Sequence, residues 1–137
     1  MNIPPDHPKI KPAKIGVILA NLGTPDATDY WSMRRYLSQF LSDKRVVDYS
    51  SWLWQPLLQG IILTRRPFSS GEAYRSIWNN ELNESPLLTT TRLQSNAVKK
   101  EVEKIYGSDV IVDFAMRYGN PSTESVIKKL KGQGVEK

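Results

Sequence analysis

A chain of 137 residues has the size of one ordinary domain and can bury a real core without covalent staples. It contains no cysteine, which excludes disulfides, thiolate metal sites and iron–sulfur ligation within this stretch. With 19 Lys and Arg against 14 Asp and Glu, the net charge of +5 is a dispersed excess that favours anionic partners such as carboxylates, phosphates or lipid headgroups.

The N-terminus, MNIPPDHPKIKPAK, carries four prolines and no apolar core, so residues 1–13 read as a flexible Pro-rich leader, neither signal peptide nor membrane anchor. His7, the only histidine, lies in it. Lysines gather weakly over residues 9–14 and 128–131, and both groups read as solvated faces. The uninterrupted apolar run 15–22, closed by Gly23, suits a central parallel strand covered on both faces. Beyond the turn GTPDATD, Met33, Tyr36, Leu37, Phe40 and Leu41 recur at helical spacing, with Asp26, Thr28 or Asp29 available as N-cap. Arg34 and Arg35 fall off that stripe and are expected to face solvent.

The segment SWLWQPLLQGIILTRR, residues 51–66, is dense in apolar residues and stops on two arginines. On a helix, Ser51, Gln55 and Gln59 form one narrow polar stripe and nearly all the remaining circumference is apolar. Such a helix is either deeply buried or dipped into something oily. A bilayer span takes roughly 20 apolar residues, and Pro56 and Gly60 interrupt this shorter run. The stretch that follows, RRPFSSGEAYRSIWNNELNESP, reads as turn formers broken by one short helical pattern around Ala73, Ile77 and Trp78. A longer helix opens at Ser85 and Pro86, carries Val98, Val102 and Ile105 on one face, and stops at Gly107. DVIVDFAMRYG is a second strand. Asn120 and Pro121 read as the N-cap and first residue of a last helix through Val126, Ile127 and Leu130. A third strand is expected to begin at GVEK, so the α/β pattern reads as cut short.

Parallel strands share a carboxyl edge, and open α/β sheets bind ligands in the crevice outside it. The loops there are residues 21–25 and 117–121. Neither is a phosphate cradle, because the first lacks the spacing of a dinucleotide fingerprint and no P-loop pattern occurs. Arg117, charged at the end of an apolar strand, calls for a partner such as Asp113 or for a ligand in a wet cleft. Arg65 and Arg66 fit a helix C-terminal cap as well as a ligand site, and Ser85 fits an ordinary N-cap.

The phrases NLGTPDA, RRYLSQFLSDKRVVD, LLQGIILTRRP, EAYRSIW, SPLL and AMRYGNPS, in this order, resemble the ferrochelatase family, whose members insert ferrous iron into protoporphyrin IX to make protohaem in haem biosynthesis. The resemblance is nearest to bacterial-type members and covers residues 14–137, less than half of a full-length member. It implies an α/β fold of three layers around an open parallel sheet, Rossmann-like and of the chelatase type, of which this chain is the N-terminal lobe.

A porphyrin is a flat apolar macrocycle with two propionates, so its site needs an apolar slot with cations or hydroxyls where the carboxylates emerge. By motif position the resemblance implies that Arg65, Arg66 and Ser85 meet propionates, that Tyr74 lines the cleft, and that Leu22 faces the macrocycle near the metal. Arg117 and Tyr118 are implied beneath the inner pocket, supporting positioning or metal passage. The tryptophan-rich segment resembles the lip of the cleft, which also touches the membrane; the expected location is cytoplasmic and peripheral to that membrane. Phe68, Ser69 and Ser70 follow the arginine pair, where the family often carries further basic residues.

Metallation releases two pyrrole protons and calls for a general base, most naturally histidine. The family's histidine and its acidic partners belong to the later half, so this chain alone is expected to be inactive and to hold no metal site. Fe2+ enters as substrate, and the sequence leaves open whether the parent carries an iron–sulfur cluster. The alternative is a naturally short, non-catalytic module that binds porphyrin or membrane. Nucleic acid is not an expected partner, for no arginine-rich arm or RNA-binding signature accompanies the charge. Half a domain leaves strand edges and helix faces uncovered, which opens the chain to self-association.

Overall fold

The computed structural model describes residues 13–137, so His7 and the leader ahead of residue 13 lie outside the described residues. Two parallel strands, β1 (Ile15–Thr24) and β2 (Val110–Gly119), pair from Ile15 opposite Val110 to Thr24 opposite Gly119. Between them run α1 (Tyr30–Ser42), α2 (Ser51–Leu57), a π-helical turn (Leu58–Ile62), α3 (Leu63–Ile77) and α4 (Pro86–Tyr106); α5 (Thr123–Gly132) follows β2.

Strand alternation divides the helices into two layers. Tyr118 packs with Met33 and Tyr36 of α1, whereas Ala115, on the opposite face of β2, packs with Val126 and Leu130 of α5. Asn21, opposite Met116 in the ladder, donates to Thr91 Oγ1 at 2.9 Å and sets α4 on the same face as α1. The other edge of β1 is also engaged: Lys14 and Val135 form a parallel bridge, and Gly16 N–H donates to Lys137 O at 2.8 Å. Strand pairing thus begins at GVEK, where a third strand is expected, and β1 is the central strand. Its cover is thinner than expected. Ile15 and Val17, on the α4 face, remain 44% and 38% exposed because α4 lies mainly over β2.

Local chemistry sets most boundaries. Asp29 caps α1, its Oδ1 accepting from Trp31 N–H at 2.9 Å and Ser32 N–H at 3.1 Å. Ser85 caps α4 by accepting from Leu88 N–H, and Gly107 ends it at φ 59°. The expected apolar face of α4 is only partly inward: Thr91 and Ser95 are buried ahead of Val102, while Val98 and Ile105 are exposed. Small hydroxyls suit that approach because Thr91 is satisfied by Asn21 and by the Leu87 carbonyl. The last helix starts later than expected. Ser122, not Asn120, is its N-cap, accepting from Ser125 N–H at 3.2 Å; Pro121 follows a cis peptide bond, and Asn120 donates to Asp26.

The main departure lies in residues 51–77, which form one helical rod through α2, the π turn and α3. The stretch after Arg66 is therefore helix rather than turns, and Arg65 and Arg66 sit within the rod instead of capping its C-terminus. Pro67 is tolerated because the carbonyl its missing N–H would leave bare, that of Leu63, accepts from Arg34 Nη1 at 2.6 Å and from the Tyr30 hydroxyl at 3.1 Å. Arg34 is thus bound to the rod and not turned to solvent, whereas Arg35 is exposed as expected.

Glycines at two positions make opposite demands. Gly23 has φ 114°, and a Cβ there would stand 1.8 Å from the Tyr118 carbonyl oxygen; Gly60, in the π turn, has open space around it. Urea titration should find Gly23→Ala destabilised by more than about 2 kcal/mol, or unfolded. Gly60→Ala should be unchanged or more stable, by up to about 1 kcal/mol.

Candidate functional site

Two residues of the rod's polar stripe reach α1 along an exposed seam. Gln55 donates to Ser42 Oγ at 3.2 Å and Gln59 to Ser38 Oγ at 3.0 Å, while the Trp54 indole N–H donates to the Leu41 carbonyl at 2.7 Å. Leu58 and Leu63 are fully buried, yet Trp52, Leu53, Leu57 and Ile61 stay 75%, 59%, 43% and 59% exposed. Of the two environments the sequence allows for this helix, burial in the core is not the one observed. Its oily face looks outward.

Between α1 and the rod lies a cleft of about 510 Å³. Leu37, Phe40 and Leu41 of α1 form one wall; Trp54, Ile61, Ile62 and Ser70 of the rod form the other, with Arg65 and Arg66 among the lining. Both arginines are exposed, and neither has a carboxylate within ion-pair distance among the described residues. Tyr74 is one helical turn beyond Ser70 and belongs to the aromatic cluster beside the cleft. Its ring meets Tyr36 edge-on at 6.2 Å, Tyr36 stacks on Phe40 at 6.2 Å, and Phe40 meets Tyr118 edge-on at 5.3 Å. Tyr36 donates to the Gly23 carbonyl at 3.2 Å, and burial pushes its phenol pKa up.

Arg117 finds a partner other than Asp113, which pairs with Lys129 at 2.7 Å. Its Nη2 donates to Asp43 Oδ2 at 2.7 Å and its Nε to the Tyr118 hydroxyl at 3.0 Å, while that hydroxyl donates to the same Asp43 oxygen at 2.9 Å. Asp43 Oδ1 also accepts from Arg45 N–H at 2.9 Å. The Arg117 guanidinium, followed by the Arg45 amide and the Tyr118 hydroxyl, holds the Asp43 carboxyl well below the usual carboxylate range, and Asp43 in turn raises the Arg117 pKa. Nothing in SDKR marks Asp43 in advance as the link between the end of α1 and the end of β2.

The sequence candidates therefore divide into groups. Arg65 and Arg66 share the cleft, and Tyr74 and Tyr118 share the aromatic cluster at its side. Arg117 is joined to that cluster through Tyr118. Ser85 is buried, with its hydroxyl occupied as the cap of α4, and does not line the cleft. Leu22, half exposed in the row beside Arg117, does not line it either. Phe40 and Leu41 were readable only as an apolar stripe, a pattern that core and cleft walls share. Among the described residues no group of three or more His, Cys, Asp or Glu is placed to hold a metal ion, and no helix is long and apolar enough to cross a membrane.

Helices on both faces of a parallel sheet, with an arginine-bearing apolar cleft near its carboxyl edge, define an α/β lobe of the open-sheet class. Residues 14–137 match the family model described as ferrochelatase, and the chain belongs to that family. It is 62% identical over 135 residues to the ferrochelatase of Rhodobacter capsulatus, covering 98% of this chain and 38% of that protein. Against the ferrochelatase of Agrobacterium fabrum the identity is 53%, over 98% of this chain and 39% of the relative. That of Rhizobium etli strain CIAT 652 is also 53% identical, over 98% and 38% respectively. The chain thus spans less than two fifths of the length of these curated relatives and forms an N-terminal lobe of the family's α/β fold.

The lowered carboxyl of Asp43 has a defined signature. Its contribution to stability is fully present above the unfolded carboxylate pKa, about 4, and is lost as pH falls through the lower folded value. Thermal melts should show Asp43→Asn less stable than wild type at pH 7, with the gap narrowing steadily as the pH drops below about 4.

Proposed function

We propose that this chain forms one wall of the porphyrin site of a ferrochelatase, a lyase that inserts ferrous iron into protoporphyrin IX to give protohaem. The observation that carries this reading is the cleft between α1 and the rod, apolar on both walls and lined at one side by two arginines that have no carboxylate partner among the described residues. A macrocycle with two propionates is complementary to such a surface: the ring takes the apolar walls, and each guanidinium can take a carboxylate in bidentate geometry. Tyr74 supports the wall through the aromatic cluster. Arg117 and Tyr118, held by Asp43, serve in this reading as positioning residues, Tyr118 acting through its ring contact with Phe40 of the wall. The lobe binds and orients, and the base that accepts the pyrrole protons comes from elsewhere in the protein.

The outward face of α2 fits a second role. Trp52, Leu53 and Leu57 with Tyr49 make an aromatic and aliphatic surface, and Lys44 and Arg45 are exposed in the loop that leads into it. That combination suits a peripheral contact with an anionic membrane, from which an apolar substrate can enter the adjoining cleft.

Titrating protoporphyrin IX into the full-length protein that carries this sequence, read by fluorescence quenching, tests the site. Arg65→Ala and Arg66→Ala should each weaken binding about tenfold or more, while the dimethyl ester, which lacks carboxylates, should bind wild type and variants alike. Unchanged affinity for protoporphyrin in both variants refutes the reading; tight binding without iron insertion by the full-length protein favours a non-catalytic porphyrin-binding module. For the membrane contact, Trp52→Ser combined with Leu57→Ser should lower the partition constant onto anionic phospholipid vesicles, read by co-sedimentation, by about a hundredfold or more, as expected from removing two apolar side chains worth about 1.5–3 kcal/mol each when buried.

A further inference from the structure

Two defects interrupt the hydrogen-bond ladder of the rod just ahead of and just behind the arginine pair. In the π turn, Leu63 N–H bonds back to the Leu58 carbonyl, so the Gln59 carbonyl loses the donor that an α-helix would supply. At Pro67 the absent N–H deprives the Leu63 carbonyl of its own donor. One side chain from α1 serves both. Arg34 Nη1 donates to Leu63 O at 2.6 Å, and Nη2 donates to Gln59 O at 3.3 Å and to Gln59 Oε1 at 3.3 Å. Among the described residues no carboxylate lies within ion-pair distance of Arg34. Its planar fork is matched to backbone oxygens, which a lysine, with a single ammonium, cannot bridge in the same way.

The residues between and beside the two capped carbonyls are those of the cleft. Ile61 and Ile62 lie in the π turn, and Arg65 and Arg66 fall between Leu63 and Pro67. A π turn carries one extra residue, so its relaxation to α geometry would rotate one side of the rod against the other by about 100°. Such a rotation takes the arginines out of line with the walls formed by α2 and α1.

We infer that Arg34 is a positioning residue for the cleft: by capping the carbonyls released by the π turn and by Pro67, it fixes the helical phase at which Arg65 and Arg66 meet the ligand beside the apolar walls. The consequence for binding rests on the proposed carboxylate-holding role of those two arginines; the capping itself does not.

The test compares wild type and Arg34→Met in the full-length protein, using protoporphyrin IX, its dimethyl ester and amide hydrogen exchange. Arg34→Met should weaken protoporphyrin binding about tenfold, leave the ester within about twofold, and add little in a background already carrying Arg65→Ala and Arg66→Ala. Exchange across residues 58–68 should accelerate in the same variant. Adding Pro67→Ala, which gives the Leu63 carbonyl an N–H again, should restore part of that protection. An equal loss for both ligands makes Arg34 a general structural residue and overturns the inference, as does unchanged exchange in residues 58–68. Should the wild-type protein bind no porphyrin, the proposed function falls, while exchange still decides the capping. If Arg34→Met does not fold, Arg34→Lys carries the comparison, with a smaller loss in the same direction.

Discussion

Gln55 and Gln59 meet Ser42 and Ser38 across the seam between the rod and α1, and this polar seam ties one side of an almost wholly apolar helix to its neighbour. Hydrogen bonds of this kind are worth about 1 kcal/mol each, net of what water would offer. Burying a Leu, Ile or Trp side chain is worth more, roughly 1.5–3 kcal/mol, so the outward face represents a larger unspent driving force than the seam itself. Leu58, Leu63 and Pro67 keep the orientation by filling the core side of the rod. The remaining oily surface is available to a flat ligand on one side and to a bilayer on the other, and both proposed roles come from that single orientation.

Much of the layout is legible in the residues because it depends on neighbours in sequence. Apolar runs locate both strands, and the caps at Asp29, Ser85 and Gly107 bound their helices through short-range bonds. Reading fails where a distant group supplies what the local sequence lacks. Pro67 and Gly71 look like helix breakers until Arg34 and Tyr30 arrive from α1, and Gly71 is retained where a Cβ would stand 2.6 Å from the Thr28 carbonyl oxygen. Asn120 looks like a cap until Asp26 engages its side-chain amide. Of the site, the arginine pair is recognisable from motif position, but the α1 wall is not, because Phe40 and Leu41 carry the same periodic signal that a core stripe would. Arg117 announces a partner, yet only the folded chain selects Asp43 over Asp113.

The carboxyl edge of the sheet is held by polar ties as well as packing. Asp43 joins α1 to β2 through Arg117 and Tyr118, Gln39 accepts from Gly119 N–H at 2.9 Å, and Tyr36 reaches the Gly23 carbonyl. These bonds run between the C-terminal ends of the two strands and the helix that lines the cleft. A displacement of either strand end is therefore felt at Phe40, whose ring lies against Tyr118. The α1 wall of the cleft is thus mechanically continuous with the strand ends.

The pairing of β1 with β2 also bears on how the lobe comes to exist. The first strand leaves the biosynthetic machinery long before its partner, with the entire rod and α4 intervening. Closing so long a loop is entropically slow, and β1 must wait as an apolar segment with both edges bare. Helices, whose contacts are local, have time to condense first and shelter it. Nascent-chain protection thus falls to the helical layer, and aggregation during synthesis becomes a contest between its condensation and the wandering of an unpaired strand.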